Sequence, residues 1–70
     1  MQYLIVRPNK KTSKNARVLI NGERNGFINQ FLMLNEGFVE ISIDLPRAQT
    51  KEIELKDTTR QKPMEIIIPI

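Results

Sequence analysis

Cysteine and histidine are both missing from these 70 residues. Their absence excludes disulfides, the usual zinc sites, and any Cys/His or Ser/His catalytic pair. Tryptophan is missing too, glycine occurs only three times, and the aromatic rings are limited to Tyr3, Phe27, Phe31 and Phe38. Carboxylates are the only catalytic chemistry left. The obvious pair, Glu52 and Glu54, alternates with Ile53 and Leu55 and precedes Lys56, which is how an exposed strand face reads. No catalytic residue, metal ligand or cofactor site is assigned, and the chain is expected not to be an enzyme. A domain this short buries only about 60% of the surface its unfolded chain exposes, which leaves little material for a deep cleft.

Long apolar runs are also lacking. The first ten residues hold only a short one of four residues, Tyr3 to Val6, with no positive segment ahead of it. That pattern is neither a secretory signal nor a membrane span. A cytoplasmic setting is expected for the chain as given, though not for a longer chain containing it. No linker, repeat or low-complexity stretch divides the sequence, so residues 1–70 read as one domain.

Acids are absent from the first 22 residues. Arg7, Lys10, Lys11, Lys14 and Arg17 give +5 before the first carboxylate, Glu23, whereas the remaining six cations and eight acids leave −2. The segment Arg7 to Arg17 is the candidate contact loop, either a solvated polar turn or a site for an anionic partner.

Helical periodicity is missing as well, whereas alternation with period two recurs throughout. The pattern predicts strands at Gln2 to Arg7, Ala16 to Ile20, Gly26 to Leu34 with a bend at Asn29 and Gln30, "FVEISID", "KEIELKD" and "PMEIIIPI". Six to seven short antiparallel strands separated by polar turns predict an all-β fold, a small sandwich or barrel. The expected core is Leu4, Val6, Val18, Ile20, Leu32, Leu34, Val39, Ile41, Ile43, Ile53, Leu55, Ile66 and Ile68. Ser42 falls on the outward set, and the alternation leaves Leu19, Phe31, Met33, Phe38 and Ile67 outside the core as well.

The stretch "RVLINGERNG" could be a phosphate cradle or a tight hairpin. A cradle needs a helix after the glycines, and the residues after Gly26 read as strand. Asn21-Gly22 between apolar runs is instead the signature of a type I′ hairpin turn. Asn25-Gly26 then reads as a bulge or second turn, and Gly37 as a positive-φ turn joining its two flanking strands in a second hairpin.

The runs "ARVLINGERNG", "FLMLNEGFVEISI", "KEIEL" and "MEIIIPI" together resemble the PEGA domain. Val18, Ile20, Asn21, Gly22 and Gly26 match its first hairpin, and Leu32, Leu34, Gly37, Val39, Ile41 and Ile43 match the pair of strands that follows. Two loops depart from the family: "FINQ" stands where Thr-Pro is usual, and "LPRAQT" where Gly-Tyr is common. The resemblance implies an immunoglobulin-like or transthyretin-like β-sandwich used as an accessory interaction module, with no catalytic residues to carry over.

The expected function is therefore a non-catalytic protein-interaction or scaffolding module. The expected partner is a protein, and the β-prone last strand offers an edge at which a second copy could pair. The alternative is a small nucleic-acid-binding β-barrel that uses the basic loop. Against that alternative, sheet-based binders display at least two aromatic rings, and some of the four rings here are expected to be needed in the core.

Overall fold

The computed structural model describes residues 1–12 and 15–70. Seven strands form in chain order: β1 (Gln2–Pro8), β2 (Arg17–Ile20), β3 (Glu23–Phe27), β4 (Phe31–Leu34), β5 (Gly37–Ile43), β6 (Lys51–Leu55) and β7 (Met64–Ile68). They make a three-stranded sheet in the order β4-β1-β7 and a four-stranded sheet in the order β3-β2-β5-β6. The fold is thus the expected all-β sandwich. Because its strands lie in two separate sheets, the barrel form of the alternative does not hold. Among the described residues no helix is long and apolar enough to cross a membrane.

Alternation places the core. Leu4, Val6, Ala16, Val18, Ile28, Leu32, Ile41, Ile43, Leu55 and Ile68 form one buried cluster, against which Ile20, Leu34, Val39, Ile53 and Ile66 pack. This cluster is wholly aliphatic. Tyr3 and Phe27 are half-buried and Phe31 and Phe38 are exposed, so the expectation that some of the four rings are needed in the core is corrected.

The β2–β3 turn closes on Asn21 and Gly22, with φ of 52° and 84°. Positive φ at both central residues is the type I′ conformation. Asn21 also anchors the turn to β5, since its N–H donates to the Glu40 carbonyl and its Oδ1 accepts from the Glu40 N–H, each at 2.9 Å. Between the pairs Arg17–Phe27 and Leu19–Arg24, strand β3 carries one residue more than β2. The extra residue is a bulge at Asn25-Gly26, with Gly26 at φ 68°.

Four expectations need correction. The segment from Gly26 to Leu34 is two strands in different sheets, because Asn29 adopts φ 61° and turns the chain from one sheet to the other. Gly37, at φ 138°, likewise follows a crossing between sheets, so "NEG" is an arch and no hairpin joins β4 to β5. The first and last strands run parallel, with Leu4 opposite Met64 and Arg7 opposite Ile67. No local turn links these strands, and the whole intervening chain serves as the crossover that a parallel pair requires. Ser42 is buried, because the segment after β5 folds back and its hydroxyl donates to the Gln49 carbonyl at 2.8 Å.

Candidate functional site

The two sheets present unlike outer faces. Cross-strand register puts Tyr3 beside Met33, Ile5 between Phe31 and Glu65, and Arg7 beside Ile67, all on the outer side of β4-β1-β7. Phe31, Met33 and Ile67 are each more than half exposed there. The outer side of the four-stranded sheet carries Phe38, Glu40, Ser42, Glu52 and Glu54, with Leu19 beside Arg24 and Ser42. One sandwich therefore has an apolar, aromatic face and one of mixed charge, where Arg17 and Arg24 share the sheet with Glu40, Glu52 and Glu54.

Cations stand at both ends of the apolar face. At one end, Thr58 ties the segment before β7 to β1: its hydroxyl accepts the Tyr3 N–H at 2.7 Å and donates to Gln2 Oε1 at 2.6 Å, and its own N–H donates to Gln2 Oε1 at 2.9 Å. Thr59 and Lys62 then close a tight turn by reciprocal main-chain bonds of 3.1 Å. Arg60 sits within that turn, with its guanidinium carbon 5.8 Å from the centre of the Tyr3 ring. A cleft of about 270 Å³ lies among Tyr3, Phe31, Met33 and Arg60. Thr58→Val is expected to cost about 1–3 kcal/mol, since it strands the Tyr3 N–H and removes a donor from Gln2. A urea denaturation midpoint reads the loss, and Thr58→Ser should retain most of the stability.

At the other end, the Arg7 guanidinium donates to Asn29 Oδ1 at 3.3 Å and lies 3.5 Å from Glu65. The Asn29 N–H is fixed by the Val6 carbonyl at 2.8 Å. The Arg7 Nε is buried without a hydrogen-bond partner of its own, so the ion pair with Glu65 is loose in geometry. Arg7, Pro8, Lys10, Lys11, Thr12 and Asn29 line a second cleft of about 300 Å³.

The residues of the expected contact loop thus separate. Arg7, Lys10 and Lys11 gather at one cleft. Arg17 lies on the other sheet, where its Nε donates to the Gly26 carbonyl at 2.8 Å and its guanidinium covers Phe27 at 4.8 Å. Lys14 lies outside the described residues. Arg60 belongs to the apolar face although sequence reasoning passed over it; the only signal was its place among cations in "TRQK" ahead of the last strand.

A third cleft, also about 300 Å³, opens on the four-stranded sheet near Leu19, Glu40, Ser42 and Asp44. Two of its polar side chains are engaged internally, with Asp44 accepting from Arg24 at 2.9 Å and Ser42 donating to the Gln49 carbonyl. Glu52 and Glu54 are exposed, and Glu54 pairs with Lys56 at 3.5 Å. Among the described residues no three acids cluster as metal ligands would. Comparison with family models, curated proteins and solved structures finds no match to this chain.

Proposed function

We propose that this chain is a non-catalytic interaction module, a PEGA-like sandwich that holds an anionic macromolecule on the outer face of β4-β1-β7. The observation that carries the reading is the gathering of Tyr3, Phe31, Met33 and Ile67 on one face while an aliphatic core closes without them. Exposed apolar side chains gathered on one face are a physical mark of an interaction site. Charge selects the partner: Arg7, Lys10, Lys11 and Arg60 flank this face, and its strands carry a single carboxylate, Glu65, which lies against Arg7. The accessory role that the PEGA resemblance implies supports the same reading.

Phe31 and Phe38 are both exposed, on opposite faces, and so provide a built-in comparison. A photo-crosslinking amino acid at position 31 in cells expressing the chain is expected to capture a partner that excess unmodified protein displaces. Position 38 is expected to capture little. Equal capture at both positions, or none at 31, would overturn the proposal.

A further inference from the structure

We infer that the anionic macromolecule is a single-stranded nucleic acid, its bases stacked on Tyr3 and Phe31 and its phosphates held by Arg7, Lys10 and Lys11; this rests on the interaction-face reading above. Stacking requires flat rings that the core does not use, and here the buried cluster contains none. Tyr3 opposes Met33 and Phe31 opposes Ile5, so the two rings are diagonal neighbours on adjacent strands. Diagonal positions are about 7–8 Å apart, enough for each ring to carry its own base. The cleft of about 270 Å³ beside them is bounded by Arg60, whose planar guanidinium is itself a surface on which a base stacks.

The backbone path follows from the same strand. Tyr3 and Arg7 lie on the same side of β1, about 13 Å apart at strand rise. A strand whose bases rest near Tyr3 and Phe31 therefore brings its next phosphates to the basic cleft of Arg7, Lys10 and Lys11. Among the strand residues of this face, Glu65 is the one carboxylate, and it lies against Arg7. Double helices keep their bases stacked on each other, so a ring platform selects unpaired strands. An acidic protein segment would satisfy the cations but make no use of the exposed flat ring of Phe31 or of the outer plane of the Arg60 guanidinium, which lies over Tyr3.

Fluorescence anisotropy with labelled oligothymidylate and oligouridylate of eight residues, and with a duplex of equal length, tests the inference. Single strands are expected to bind in preference to duplex, with log affinity falling against log salt at a slope of about −2 to −3 for three to four phosphate contacts. Lys10→Gln with Lys11→Gln should flatten that slope by about 1.4. Phe31→Ala should weaken binding about 5- to 150-fold, and Phe38→Ala should leave it unchanged. Both rings are exposed, and an amide NMR spectrum of each variant verifies that it folds. Absence of binding at low salt, equal binding of duplex, or equal effects of the two phenylalanine variants would overturn the nucleic-acid assignment. If the oligonucleotides fail while position 31 still crosslinks to a protein, the assignment falls and the interaction face stands.

Discussion

Gly26→Ala is expected to remove about 2–5 kcal/mol of stability, a large share of the roughly 4–10 kcal/mol that a domain of this size has. Two costs combine. A residue with a Cβ at φ 68° is held in the left-handed region, which costs about 1–2 kcal/mol. A Cβ at this point would also overlap Leu32 Cδ2, and Leu32 is a buried core residue of the facing sheet. Forcing that side chain off its rotamer costs about 1–3 kcal/mol. Gly22→Ala separates the two costs, because Gly22 has φ 84° with open space where its Cβ would stand. It should lose only the conformational part, about 1–2 kcal/mol. Urea midpoints for both variants provide the comparison. Equal losses would mean that the approach of β3 to Leu32 contributes nothing, and that the bulge is set by local turn chemistry alone.

That bulge shows what local sequence can and cannot reveal. The glycine and the asparagine before it announce a break in register at Asn25-Gly26, because both residue types tolerate positive φ. The destination of the chain after the break is not local information. Alternation continues from Phe27 through Leu34 as it would along one bent strand, and a crossing between sheets keeps a buried residue on either side, Ile28 and Leu32. What distinguishes an arch from a hairpin is the partner: β4 pairs with β1, with Leu32 opposite Leu4, and that partner lies far away in sequence. The parallel pairing of β1 with β7 is hidden for the same reason, since Leu4 and Met64 come from opposite ends of the chain.

The candidate face divides along the same line. Phe31, Met33 and Ile67 are legible as residues left over by the period of two, and all three are exposed. Their gathering on one face requires the sheet order β4-β1-β7, which no single window contains. Leu19 and Phe38 belong to the same leftover set and end up on the other sheet. Arg60 was invisible because its position depends on Thr58, a residue bonded to Gln2 and Tyr3 across more than fifty positions of sequence. The basic loop looked like one unit because its cations are near neighbours in sequence. In the fold, Arg17 begins a strand of the opposite sheet and is occupied by Phe27 and the Gly26 carbonyl.

Leu32→Ala and Met33→Ala, adjacent substitutions in one four-residue strand, should differ by several kcal/mol. Leu32 is 5% exposed and faces the core, whereas Met33 is 57% exposed and faces outward beside Tyr3. Truncating the first leaves a cavity among aliphatic side chains and should cost about 2–5 kcal/mol. Truncating the second removes atoms that water already reaches and should change stability by no more than about 0.5 kcal/mol. Thermal or urea unfolding of both variants makes the measurement. A comparable loss at Met33 would mean that the outer face contributes to folding, and its apolar residues would then need no partner to explain them. A neutral Met33→Ala, set beside a costly Leu32→Ala, means that β4 separates two demands on alternate residues: the even position closes the sandwich, and the stability of the fold does not depend on the apolar side chain at position 33.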